Sequence, residues 1–141
     1  MFKIIIISHG LLAKEILNSA QMIAGKQENT QAIGLVEGQS PESFAENVEN
    51  AVRQCGTDDV LILSDLYGGT PCNTVAMKML PKYKNSEMLT GMNLSMVIEA
   101  YSMSKGNIKD AVNELSGIGK DDIVDMRKEF DAKSSCTDGD E

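Results

Sequence analysis

Residues 2–10 read Phe2-Lys3-Ile4-Ile5-Ile6-Ile7-Ser8-His9-Gly10, and the architecture follows from this stretch. Four consecutive isoleucines leave no polar face, as in a strand covered on both sides within a parallel sheet. The polar pair Ser8-His9 ends the strand, and Gly10 turns the chain onward. Beyond it Leu11, Leu12, Ile16, Leu17, Ala20, Ile23 and Ala24 recur at helical spacing, with Gly25 as the C-cap.

The same alternation continues along the chain. Thr30 to Val36 reads as a second strand. Ser40-Pro41 is an N-cap and first-turn pair for a helix carrying Phe44, Val48, Ala51, Val52 and Cys55, which Gly56 ends. Val60 to Leu63 is a third buried strand. After Asp65-Leu66-Tyr67-Gly68-Gly69, the pair Thr70-Pro71 opens a helix through about Leu80. Glu87 to Thr90 is a weaker strand, and a methionine-rich helix follows Gly91-Met92-Asn93. A further helix covers Ile108 to Leu115, and Asp122 to Met126 is a candidate last strand. Apolar residues almost vanish after residue 127, so the domain spans 1–127 and 128–141 is expected to be a short acidic, disordered tail.

Strands alternating with helices predict an α/β fold. We expect one doubly wound, mainly parallel sheet in the order 2-1-3-4, with helices on both faces. In that order the winding reverses between the first and third strands, and ligand chemistry belongs in the crevice at their carboxyl ends. Ser8-His9 and Ser64-Asp65 end those two strands.

Composition narrows the field. The 141 residues are 42% hydrophobic and 24% charged, as in soluble globular domains. No apolar run is long enough to span a bilayer, and the N-terminus lacks a signal-peptide pattern, so a cytoplasmic location is expected. Cys55, Cys72 and Cys136 show no paired spacing, which argues against a disulfide framework or a zinc site. A net charge of −8 disfavours nucleic acid and anionic membrane as partners and suits a protein with a positive patch.

His9 is the single histidine. A lone histidine is ordinarily a surface or satisfied core residue, but this one stands at the predicted switch point. Neutral imidazole is nucleophilic near neutral pH, its reference pKa being about 6.5. A carboxylate accepting the Nδ1 proton would leave the Nε2 lone pair free, and Asp65 is the candidate; its ordinary alternative is a turn or capping aspartate. Gly68, Gly69 and Thr70 lead into a helix N-terminus whose unpaired N–H groups suit an anion, and Gly10 opens a second such terminus. Together these residues form a candidate phosphate cradle around a nucleophile.

Other chemistry fits poorly. There is no Walker loop, and no lysine or arginine lies in either crevice loop. A histidine phosphatase needs a second histidine. A Cys72/His9 thiol hydrolase is conceivable, since Cys72 lies in a first helical turn, but such a cysteine is more often a small buried filler. The scarcity of aromatics disfavours a flavin-binding module. No metal site and no cofactor are expected.

Three segments, IIIISHGLLA at 4–13, SDLYGGTPCNTVA at 64–76 and TGMNLSMVIEA at 90–100, carry a resemblance. The sequence resembles the IIA proteins of the mannose/fructose/sorbose class of the bacterial phosphoenolpyruvate-dependent phosphotransferase system, over about residues 1–127. The resemblance implies that His9 is phosphorylated at Nε2 by the phosphocarrier HPr and passes the group to a histidine of a IIB component. It implies that Asp65 hydrogen-bonds the imidazole and that Gly69 and Thr70 help hold the phosphoryl group. It further implies a flavodoxin-like sheet and a homodimer in which Asp122 to Met126 is an exchanged strand. Contact with membrane would be indirect, through the IIC/IID permease.

The chain departs from the family pattern at Ser95, often proline, and at Cys72, often aromatic. Some relatives carry IIB after an Ala/Pro-rich linker; here the IIB partner is expected to be a separate polypeptide. The alternatives are the IIA-like domain of a dihydroxyacetone kinase phosphotransferase system, which the 70–71 and 91–94 segments disfavour, and a regulatory module controlled by phosphorylation.

Overall fold

The computed structural model describes residues 1–140. The elements run β1 (Lys3–His9), α1 (Leu12–Ala24), β2 (Thr30–Leu35), α2 (Pro41–Gln54), β3 (Val60–Ser64), α3 (Thr70–Met79), β4 (Ser86–Leu89), α4 (Leu94–Ser102), α5 (Ile108–Asp121) and α6 (Met126–Asp140). The four strands form one parallel sheet in the order β2-β1-β3-β4. This is the predicted winding, with the reversal between β1 and β3.

Alternation along β1 feeds two separate cores. Ile4 and Ile6 pack with Leu61, Leu63, Val97, Ala111 and Leu115 beneath α1, α4 and α5. Ile5 and Ile7 pack with Ile62, Phe44, Val48, Val75 and Met79 beneath α2 and α3. The run of isoleucines is apolar throughout because both faces of its strand are covered. Ser40 caps α2 by accepting a hydrogen bond from the Ser43 N–H, as its position before Pro41 predicts.

Glu49 ties α2 to the end of α3. Its side chain is only 5% exposed, and its Oε2 accepts hydrogen bonds from Lys82 and Tyr83, both at 2.7 Å. Arg53 and Lys78 approach Oε1 at 3.4 and 3.6 Å. The Lys82 and Tyr83 hydrogen bonds outweigh burial and hold the carboxyl down at about 2. The reach of this carboxylate across two helices is invisible to periodicity.

Three expectations need correction. α5 runs on to Asp121 rather than stopping near Leu115. Gly119 lies within this helix, where its missing side chain admits Met96, whose Sδ would stand 2.6 Å from a Cβ there. Asp122 to Met126 is not a strand within the single chain. Asp122 is the C-cap of α5 and Met126 begins α6, so β4 keeps an unpaired edge in the sheet. Residues 128–140, expected to be disordered, belong to α6; Glu141, the last residue of that tail, lies outside the described residues.

Candidate functional site

The carboxyl ends of β1 and β3 bring His9 and Asp65 together from 56 positions apart. Parallel pairing of Ile7 with Ser64 leaves β1 running two residues past the end of β3, so Asp65, the first residue after β3, comes within reach of His9 at the end of β1. Asp65 Oδ2 accepts from the His9 backbone N–H at 2.9 Å and lies 2.8 Å from Nδ1. Oδ1 accepts from the Leu66 N–H at 2.8 Å. Burial pushes the Asp65 carboxyl up, but the hydrogen bonds from His9 and Leu66 outweigh it and leave it below the usual carboxylate range.

An ionised carboxylate only accepts hydrogen bonds, so in the neutral ring Nδ1 carries the proton and Nε2 keeps its lone pair. The His9 side chain is 49% exposed while that of Asp65 is 9% exposed. The imidazole faces outward and the carboxylate that holds it is sheltered.

Each turn around the pair has its own local cause. Gly10 takes φ +55 and donates its N–H to the Leu35 carbonyl at 2.8 Å. It therefore shapes the turn after His9, and that N–H is already engaged rather than offered to an anion. The buried Ser8 hydroxyl accepts from the Ala13 N–H at 2.7 Å and steadies the start of α1.

Across the crevice, Leu66 to Gly69 form a β-turn with a Gly69 N–H to Leu66 carbonyl hydrogen bond, and Gly68 supplies its φ of +81. Gly69, not Thr70, is the N-cap of α3, and Thr70 and Pro71 are its first helical residues. Pro71 has no N–H, so Thr70 and Cys72 contribute the free amides of the first turn. Thr70 is exposed and Cys72 buried. The first turn of α3 stands at the imidazole edge, since a Cβ on Gly69 would lie 3.0 Å from His9 Cε1.

Sequence reasoning missed an apolar rim at this end of the sheet. Leu11, Leu12, Val36, Leu66 and Tyr67 are all exposed, Tyr67 to 84%. Large apolar residues in loops beside a polar pair were the available signal, because a loop with no partner has no reason to carry them. No group of histidine, cysteine, aspartate and glutamate suited to a metal occurs among the described residues. No helix of the described residues is long and apolar enough to cross a membrane.

Residues 3–116 match the family EIIA-man, described as the PTS system fructose IIA component. The chain belongs to this family. The EIIA chain is 28% identical to the fructose-specific EIIA component of Bacillus subtilis over 122 residues, 85% of this chain and 83% of that protein. It is 33% identical over 97 residues, 68% of this chain, to the mannose-specific EIIAB component of Escherichia coli, of whose length that match spans 30%. Among solved structures, the mannose/sorbose-specific IIA subunit from Enterococcus faecalis superposes with a TM-score of 0.82 at 31% identity, covering 88% of this chain and 93% of that one. The EIIA component from Streptococcus agalactiae does so with a TM-score of 0.78 at 32% identity, covering 91% and 99%.

Proposed function

We propose that this EIIA chain is a phosphocarrier that takes a phosphoryl group from phospho-HPr on His9 Nε2 and delivers it to a histidine of a IIB component, in support of sugar uptake with phosphorylation. The observation that carries the reading is the 2.8 Å contact between Nδ1 and Asp65 Oδ2 beneath a half-exposed ring. The Nε2 lone pair attacks phosphorus while the bond from phosphorus to the donor's imidazole nitrogen breaks, and that electron pair returns to the donor ring. The His9 ring gains positive charge as the new bond forms, and Asp65 is placed to balance it. Delivery to IIB is the same displacement with His9 as the leaving group. The free amides of the first α3 turn, the Thr70 hydroxyl and the close backbone of Gly68 and Gly69 favour the phosphoryl oxygens. Gly10 contributes the turn that presents His9.

The apolar rim suits a macromolecular donor, since a small-molecule donor needs no such collar. HPr and a IIB component are the partners proposed, with the membrane reached only through the IIC/IID permease and the reaction in the cytoplasm. A homodimer is proposed too, with Asp122 to Met126 moving onto the open β4 edge of a second copy. Ile123 at 83% exposure and Val124 at 48% are otherwise costly to leave in water. Incubation with phosphoenolpyruvate, enzyme I and HPr, followed by intact-mass measurement, tests the core of this. One acid-labile phosphoryl group is expected on the natural chain and none on His9→Ala; a labelled His9→Ala chain would end the proposal.

A further inference from the structure

The two glycines of the Gly68-Gly69 pair have different reasons to be glycine. Gly68 has φ +81, a conformation that side chains resist, and a Cβ added there would meet nothing within 4 Å. Gly69 has φ −72 and ψ 163, ordinary extended backbone open to any residue. It is also an N-cap without a side-chain capping bond, at a position where serine, threonine, aspartate or asparagine is preferred. Neither its dihedrals nor its helix calls for glycine. What a side chain would meet does: its Cβ would lie 3.0 Å from His9 Cε1, well inside ordinary contact.

We propose that Gly69 is a positioning residue for His9, its missing side chain forming the slot in which the edge of the imidazole sits. Cε1 lies between Nδ1 and Nε2, so pressure on it moves both nitrogens. Gly69 itself is anchored. Its N–H donates to the Leu66 carbonyl at 3.1 Å, and its carbonyl accepts from the Asn73 N–H at 2.9 Å. The ring, half exposed, is the part free to give. Swinging outward would lengthen the contact from Nδ1 to Asp65 and carry Nε2 away from the first turn of α3. The slot therefore couples the two halves of the site, holding the Nδ1 proton on Asp65 and Nε2 beside the amides.

Because His9 is the single histidine, its ring is read without ambiguity by nitrogen and proton NMR. In the natural chain at neutral pH we expect the Nδ1–H form and a nuclear Overhauser contact between His9 Hε1 and a Gly69 α proton. In Gly69→Ala we expect a mixture of ring tautomers, a melting temperature within about 2 °C of the natural chain, and phosphorylation by phospho-HPr slowed roughly tenfold to a hundredfold. Gly68→Ala should do the opposite to the resting protein, losing about 3–6 °C of melting temperature through its left-handed backbone while keeping the Nδ1–H form. An unchanged imidazole spectrum in Gly69→Ala, or equal scrambling of the ring in both variants, would overturn the proposal. So would the lack of the Overhauser contact in the natural chain, whether or not any variant folds. The rate arm rests on the phosphocarrier reading; the NMR arms use resting protein, so failure of labelling in the natural chain would end that reading and leave the slot standing.

Discussion

Asp65 Oδ2 receives both the His9 backbone N–H, at 2.9 Å, and the Nδ1 side of its ring, at 2.8 Å. One oxygen therefore fixes where the residue sits and which tautomer it adopts. Replacement by asparagine keeps the shape but turns the amide into a possible donor to Nδ1, which would put the ring proton on Nε2. Asp65→Asn should be phosphorylated by phospho-HPr about a hundredfold more slowly or worse, with folding intact. Single-turnover labelling at matched HPr concentrations checks this, and a natural rate would remove Asp65 as orienter.

The rim should act on encounter rather than on chemistry. Leu11 and Tyr67, exposed to 71% and 84%, have little to lose in the free protein. Each alanine substitution should raise KM for phospho-HPr up to about tenfold, equivalent to about 1.4 kcal/mol, with kcat and melting temperature held. A KM unchanged in both variants would move the docking surface elsewhere.

Association should depend on the segment after α5. Ile123→Asp together with Val124→Asp puts two charges on residues that the exchange would carry onto β4. Because both side chains are exposed in the single chain, the variant should fold as a monomer, while the natural chain sediments as a dimer at micromolar concentration. Dimeric behaviour in both would show that the contact lies on another face.

Acid should expose the α2–α3 tie. The Glu49 carboxyl is held down at about 2 against an ordinary 4.5. A depressed carboxyl adds stability above the unfolded value and loses it as pH falls toward the folded one, so this contribution is present above pH 4.5 and fades toward about pH 2. Asp65, also held below its usual range, acts in the same direction on the acid side. Urea unfolding at pH 7 and pH 3 should therefore show a smaller loss in Glu49→Gln than in the natural chain. Equal losses would mean that the Glu49 cluster does not contribute.

Much of the site was legible because parallel α/β folds gather their chemistry at strand ends. The isoleucine run marked β1 as doubly covered, and Ser8-His9 and Ser64-Asp65 stood where such strands stop. Gly69 was less transparent. Beside Gly68 it reads as part of a phosphate cradle, and only its ordinary dihedrals and the nearby Cε1 reveal a slot for the ring. Gly10 changed its part likewise, because a donor named from sequence proved to be bonded to Leu35. The segment 122–126 is a candidate strand in the sequence and through the family resemblance, but a strand exists only through its neighbour, and the single chain brings none to it.

By itself the sequence determined the alternation of strands and helices, the order in which they wind, and the pairing of one histidine with one aspartate at the switch point. These are consequences of local periodicity and of the few ways βαβ units close. The tertiary structure alone decided which carboxylate oxygen holds the ring, where Glu49 finds its cations, and why position 69 has no side chain. Those depend on distances of a few ångströms between residues far apart in the chain, and no local pattern records such distances.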